Sequence, residues 1–439
     1  MSVVITGGCG CIAQHLVREL IINNEKMALG VENIILLDVR PNWRPFWHDY
    51  KELEGSQGDH DRLRPYPTLE QEKIVKFYSV DLSNKEKLEE LFENELIPNF
   101  PNLSTIFHVL STTVLWSPTF DIYDKINVKL TETLLDISYK YDSIKNFIYT
   151  SSGSIFWREF NEKNKRLELR EEEYQTVERD EKGYVKNVKL HFSTPPSSMD
   201  YSYVRSKQLA NEMVVERTFR DKSKHLNTVS LALCMSIYGE SEIQISNSVT
   251  QPYILNKSGG KGHNLYSGNA AYAHVMVFKA MQDQEKANRM RGLTYMIYDN
   301  NVGQLHNEAV RGIMKCVTGD AETYSEDRSE AVSLKILYAI WYYFCVVNFF
   351  VYLLTLLVPQ AKKWYFMPFI TAFIIDITYL DRYMVCKTLN AKNDFGYEEK
   401  YTTQDNYSQI ALHFKILEKQ GKMKLHRLPP VNKSDKKSL

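Results

Sequence analysis

The chain has 439 residues, with 54 Lys and Arg balanced by 54 Asp and Glu, and six cysteines. That length can bury a large core and a second, smaller lobe, and the even charge excludes the broad basic footprint of a nucleic-acid binder. No cysteine lies in a CxxC or a Cys/His set with ligand spacing, so no metal centre is expected.

The chain opens on Val3-Val4-Ile5-Thr6, a short apolar strand with no charged-then-apolar leader before it, which predicts a fold kept in a reducing compartment. It breaks into Gly7-Gly8-Cys9-Gly10, and Ile12 to Ile22 then carries apolar residues at helical spacing. Further strands are predicted at Asn33–Asp38, Lys73–Asp81, Ser104–Ser111, Asn146–Ser152 and Thr228–Cys234, with a helix over Asn127–Tyr141. Runs that are apolar throughout, alternating with helices, predict a doubly wound parallel α/β sheet of Rossmann type.

Two polar segments interrupt this rhythm, 40–71 and 158–198. The second, dense in Glu, Lys and Arg, is expected to be a solvated insertion; a lid is the alternative, because its ends flank the candidate chemistry. Ile336–Val358 is apolar and uncharged, with Asn348 as its one strongly polar interruption, and is long enough to cross a hydrocarbon core. Trp364–Leu380 is a second apolar stretch, carrying Asp376. A buried core helix would explain either run; membrane association is expected for the first and stays open for the second. The expected division is a nucleotide-binding domain over 1–235, a substrate lobe from 236–330 and 381–420, a membrane-associated segment at 336–380 and a basic tail at 421–439.

The glycine turn sits between a strand and a helix, where glycines let the backbone approach a pyrophosphate and the helix N-terminus supplies donors. Gly7, Gly10 and Ala13 are the expected contacts, Ala13 standing where a third glycine is usual. Asp38 ends the second strand, where a carboxylate can hold the adenosine ribose hydroxyls and repel a phosphate; this predicts NAD over NADP, with Arg40 as the residue that could reverse the preference. Asp81 could meet the adenine edge or cap the helix beginning near Asn84.

Thr6–Ala13, Ile106–Ser111, Phe147–Phe156 and Tyr201–Lys207 together resemble the extended short-chain dehydrogenase/reductase superfamily. Leu231–Glu242, Asn264–Met276 and Tyr295–Asn301 are similar to its later segments, and the apolar stretch 336–380 points to the 3β-hydroxysteroid dehydrogenase branch rather than the soluble sugar-nucleotide enzymes. The resemblance implies a catalytic couple in Tyr203 and Lys207. Tyr203 would be the base, its pKa lowered by the lysine ammonium, and Lys207 would also hold the nicotinamide ribose. Ser152 would orient the substrate oxygen, with Ser151 and Thr150 as neighbouring alternatives; Tyr201 has Arg205 rather than lysine at i+4. His108 and His274 are expected to be structural, and Cys9 and Cys11 to be small buried residues.

What the resemblance implies is NAD-dependent oxidation of the 3β-hydroxyl of a steroid or sterol, leaving open a shift of the ring double bond. Alternatives are a sterol 4α-carboxylate 3-dehydrogenase and a catalytically silent nucleotide-binding scaffold. Membrane lipid is an expected partner, and a homodimer is compatible with the resemblance. Lys436-Lys437 near the carboxyl end resembles a dilysine retrieval signal, which implies the endoplasmic reticulum membrane with the catalytic domain facing the cytosol.

Overall fold

The computed structural model describes residues 1–51, 64–112, 120–156, 166–193, 202–220, 226–234, 236–250, 260–304, 307–324, 334–358, 360–361 and 383–428. Its strands are β1 (Ser2–Thr6), β2 (Asn33–Asp38), β3 (Val75–Ser79), β4 (Leu103–His108), β5 (Asn146–Ser152), β6 (Arg166–Leu169), β7 (Gln175–Arg179), β8 (Val185–Leu190), β9 (Asn227–Leu233), β10 (Ser236–Tyr238), β11 (Lys261–Tyr266), β12 (Thr294–Ile297), β13 (Val302–Gln304) and β14 (Tyr383–Cys386). Seven of them form one sheet in the order β12-β9-β5-β4-β1-β2-β3, parallel throughout.

The apolar runs are continuous because both faces of this sheet are covered. Val3, Ile5, Ile34 and Leu36 join a core with the helix α1 (Cys11–Asn23) and the Ser267–Met281 helix. Val4, Ile35, Leu37 and Phe147 point the other way, onto the Leu130–Lys140 and Ser202–Phe219 helices. The strand order reverses between β2 and β4 on either side of β1, and Thr6 at the end of β1 is in register with both Leu37 and His108. A ligand crevice is expected outside the carboxyl ends of the strands at such a reversal.

A second sheet runs β10-β11-β14-β6, with β13 antiparallel to β11. β12, although it follows residue 236 in sequence, is an edge strand of the large sheet. The described part of segment 158–198 is not a solvated insertion. β6 pairs with β14, and β7 and β8 form a hairpin whose Gln175, Val185 and Val188 are buried, as is the preceding Tyr174. Gln175 exchanges hydrogen bonds with the Thr294 backbone (2.9 and 3.0 Å), and the Glu171 carboxylate accepts the Met296 N–H at 2.6 Å. Side chains thus satisfy alternate backbone groups of the β12 edge, as another strand would. The first polar segment is also partly core: Phe46, Trp47 and Tyr50 are buried.

Ile336–Val358 forms most of one helix, Leu334–Leu357. Among the described residues no helix is long and apolar enough to cross a membrane, and several side chains of this helix fall outside them. Trp364–Leu380, Tyr201 and Lys436-Lys437 also lie outside the described residues.

Candidate active site

The glycine turn is built by steric necessity. Gly7 has φ of +70°, and its N–H and that of Gly8 both donate to the Leu37 carbonyl, at 2.8 and 3.2 Å. A Cβ on Gly8 would come within 2.7 Å of the Leu36 Cβ, and one on Gly10 within 3.1 Å of the Gly7 carbonyl oxygen. Ala13 is fully buried, so a larger residue would push α1 off the sheet. No side chain caps the N-terminus of α1, and its first turn has no acidic residue. The turn therefore fits a dinucleotide pyrophosphate: glycine backbone, no acid in the first turn of the helix, and a helix N-terminus with uncapped donors.

Asp38 lies beside it. Its Oδ2 accepts the Cys9 N–H and its Oδ1 the Arg40 N–H, each at 3.0 Å, while the Arg40 Nε is 3.5 Å from Oδ1. The acid and the glycine turn are one unit, and Arg40, 56% exposed, leans onto the acid rather than replacing it. Burial, then Asp38, pushes the Cys9 thiol up to about 11, and burial pushes Cys11 to about 12, so both stay as thiols at neutral pH. Asp81 is not the helix cap: Asn84 accepts the Lys87 N–H at 3.0 Å. The Asp81 carboxylate instead takes the Ser83 hydroxyl and N–H, at 2.5 and 3.0 Å.

The Ser202–Phe219 helix brings Tyr203 and Lys207 to the end of β5. Burial raises the Tyr203 pKa, and the Ser152 and Ser111 hydroxyls pull it back. Ser152 Oγ accepts the Ser154 N–H at 3.2 Å and the Ser154 hydroxyl at 2.9 Å, which leaves its own hydrogen free for a substrate oxygen or for Tyr203. The alternatives are otherwise engaged or placed: Thr150's hydroxyl bonds His274 Nε2 at 2.7 Å, and Ser151's is buried without a partner. Lys207 is buried, donates to the Thr150 carbonyl at 2.8 Å and lies 4.5 Å from the Tyr149 ring centroid. Burial brings its pKa down to about 7.

Both histidines are structural. Thr6 Oγ1 accepts the Val109 and Leu110 N–H groups (3.1 Å each), so its one hydrogen goes to His108 Nδ1 at 2.8 Å. His108 Nε2–H then faces Thr131 Oγ1 at 2.9 Å, a neutral chain; burial, then Lys207, lowers its pKa to about 3. His274 is buried and brought to about 4. Ser111, Asn127 and Ser206 were missed by the sequence reading. Asn127 sits in a π turn, Asp124–Lys129, and is 1% exposed. Nothing in the local composition announces that turn.

Residues 4–323 match the 3-beta hydroxysteroid dehydrogenase/isomerase family. The chain belongs to that family. A sterol-4-alpha-carboxylate 3-dehydrogenase (decarboxylating) of Saccharomyces cerevisiae is 26% identical over 303 residues, 67% of this chain and 70% of that protein. Its Candida albicans counterpart is 25% identical over 307 residues, 68% and 71%. Among solved structures, the Bacillus cereus UDP-glucuronic acid 4-epimerase in complex with NAD aligns with a TM-score of 0.56 at 13% identity, covering 96% of this chain and 100% of that one. The Bifidobacterium longum UDP-glucose 4-epimerase with NAD+ and UDP gives 0.55 at 15% identity, covering 96% and 99%. At such identities these two speak for the fold of this family member alone.

Proposed function

We propose that this dehydrogenase-family chain oxidises the 3β-hydroxyl of a sterol or steroid to the ketone, with NAD bound along Gly7–Ala13 and Asp38. The observation that carries the reading is that Lys207, one helical turn from Tyr203, is tied to the Thr150 carbonyl at the end of β5, the strand that ends in Ser152. Ser152's free hydrogen orients the substrate oxygen, the Tyr203 phenolate takes its proton, and Lys207 leaves the Thr150 carbonyl partly or wholly for the nicotinamide ribose hydroxyls. Bound NAD supplies the hydride acceptor.

A substrate with a 4α-carboxylate is a second reading, favoured by the printed names of the two fungal relatives. Oxidation at C3 places a ketone β to that carboxylate, and the carboxylate can then leave as carbon dioxide without a further catalytic group. A silent scaffold would have no use for a serine with a free hydrogen beside a buried tyrosine and lysine. Incubation of the membrane-bound enzyme with NAD and a panel of 3β-hydroxysterols, with and without a 4α-carboxylate, followed by mass spectrometry, tests both readings. Turnover of none of them would refute the function.

The same proposal includes a membrane surface. On the Leu334–Leu357 helix, Tyr342, Phe349, Phe350, Leu356 and Leu357 are exposed, whereas Asn348 and Thr355 are buried. This inside-out pattern suits lipid. The flanking chain is tied to the folded body on both sides, by Tyr324, whose hydroxyl accepts the Leu428 N–H, and by Tyr383 in β14. An even number of crossings, including none, follows if the body stays on one side. The proposal therefore places the chain at the endoplasmic-reticulum membrane with the catalytic domain facing the cytosol. Protease added to sealed microsomes should remove a tag placed just before Lys436; protection until detergent is added would rule this topology out.

A further inference from the structure

Strand β5 ends in Ser152 and runs directly into a single helical turn, Gly153–Phe156. That turn is held from three sides. A Cβ on Gly153 would come within 3.1 Å of the Leu233 carbonyl oxygen, so the turn packs tightly on the end of β9. Gln208, the residue after Lys207, donates to the Ile155 and Ser193 carbonyls, both at 3.0 Å. The Tyr174 hydroxyl donates to the Phe156 carbonyl at 3.1 Å. Segment 158–198 therefore props this turn as well as the β12 edge. What the turn places is Ser154, which is 4% exposed. Its N–H and its hydroxyl both donate to Ser152 Oγ, at 3.2 and 2.9 Å.

A hydroxyl oxygen has two lone pairs and one hydrogen. Ser154 occupies both lone pairs, so Ser152 can give a hydrogen bond to a substrate but cannot receive one from it. A 3β-hydroxyl could otherwise meet Ser152 in two ways. In the first it accepts from Ser152 and points its own hydrogen at Tyr203, which is the arrangement oxidation needs. In the second it donates to Ser152 and accepts from a protonated Tyr203, and the proton then has no base to go to. We propose that Ser154 is a positioning residue that makes Ser152 a donor only, and so admits the substrate hydroxyl in the first way alone. The inference rests on the roles given above to Ser152 and Tyr203. A ketone carries no hydrogen on its oxygen, so the restriction has no counterpart in the reverse reaction.

The test is single-turnover kinetics of the full chain in both directions, for wild type and Ser154→Ala. One direction is oxidation of a 3β-hydroxysteroid with bound NAD, the other reduction of the matching 3-ketone with bound NADH. Ser154→Ala vacates one lone pair on Ser152, and the substrate hydroxyl can then donate to it. The unproductive orientation should gain by the strength of one neutral hydrogen bond, about three- to tenfold. In oxidation the maximal rate and the half-saturating steroid concentration should therefore fall together by that factor, with their ratio unchanged. In reduction neither should change. A rate lost equally in both directions would overturn the proposal. So would an oxidation rate that falls without the half-saturating concentration, or a variant that matches wild type throughout. Ser152→Ala separates the two readings: retained turnover there defeats the role of Ser152 itself. Lost turnover there, with no fall in the oxidation maximum of Ser154→Ala, defeats only the role of Ser154.

Discussion

The buried Lys207 ammonium donates to the carbonyl of Thr150 at 2.8 Å, and burial lowers its pKa. A cation so placed is a cost to the fold. Its pKa is about 7 in the folded chain against an ordinary value of 10.5, so between those limits the unfolded chain binds more protons and stability rises with pH. Below about pH 7 the penalty is fully present. Lys207→Met should therefore raise the thermal midpoint of the ligand-free protein at neutral pH, with the gap to wild type closing as pH approaches 10, while NAD binding is lost. A variant less stable than wild type at pH 7 would show that the ammonium is favourably placed without the dinucleotide.

Asp38 accepts the Cys9 N–H of the glycine turn, and in the proposed NAD site it also holds the adenosine ribose. Asp38→Ala should weaken NAD binding by about tenfold or more, on the scale of hydrogen bonds to a charged acceptor. NADP should be weakened less, because the repelling charge is gone and Arg40 is released. Titration of both dinucleotides against both proteins decides this. Equal affinity of the wild type for NAD and NADP would contradict ribose recognition by Asp38.

The β12 edge depends on Glu171, whose carboxylate accepts the Met296 N–H and, at 2.5 Å, the Asn390 amide. Glu171→Ala leaves the buried Met296 donor without an acceptor and should destabilise the chain by about 1–3 kcal/mol in denaturant unfolding. Hydrogen exchange at Met296 should accelerate. Unchanged exchange there would mean that the segment around Glu171 is not a clasp on this edge.

The sequence made the central strands legible because burial on both faces writes an unbroken apolar run, and Asn33–Asp38 and Asn146–Ser152 agree with the structure residue for residue. Segment 158–198 misled because its buried members, among them Glu171, Gln175 and Val188, are scattered among charged ones. Their role depends on a strand, β12, more than a hundred residues later. At the candidate site the nucleotide turn and the Tyr203 and Lys207 pair were visible as spacing. The direction of Lys207 and the burial of Asn127 were not, because a side-chain rotamer and a π turn leave no periodic trace.

The most direct measurement is NADH formation from a 3β-hydroxysterol by the wild-type chain and by Tyr203→Phe, with the sterol product identified by mass spectrometry. The account predicts a 3-ketone from the wild type. It predicts less than about a tenth of that rate from Tyr203→Phe, in line with the loss of a general base, with NAD affinity nearly intact. A Tyr203→Phe enzyme that keeps more than that fraction of the wild-type rate would contradict it.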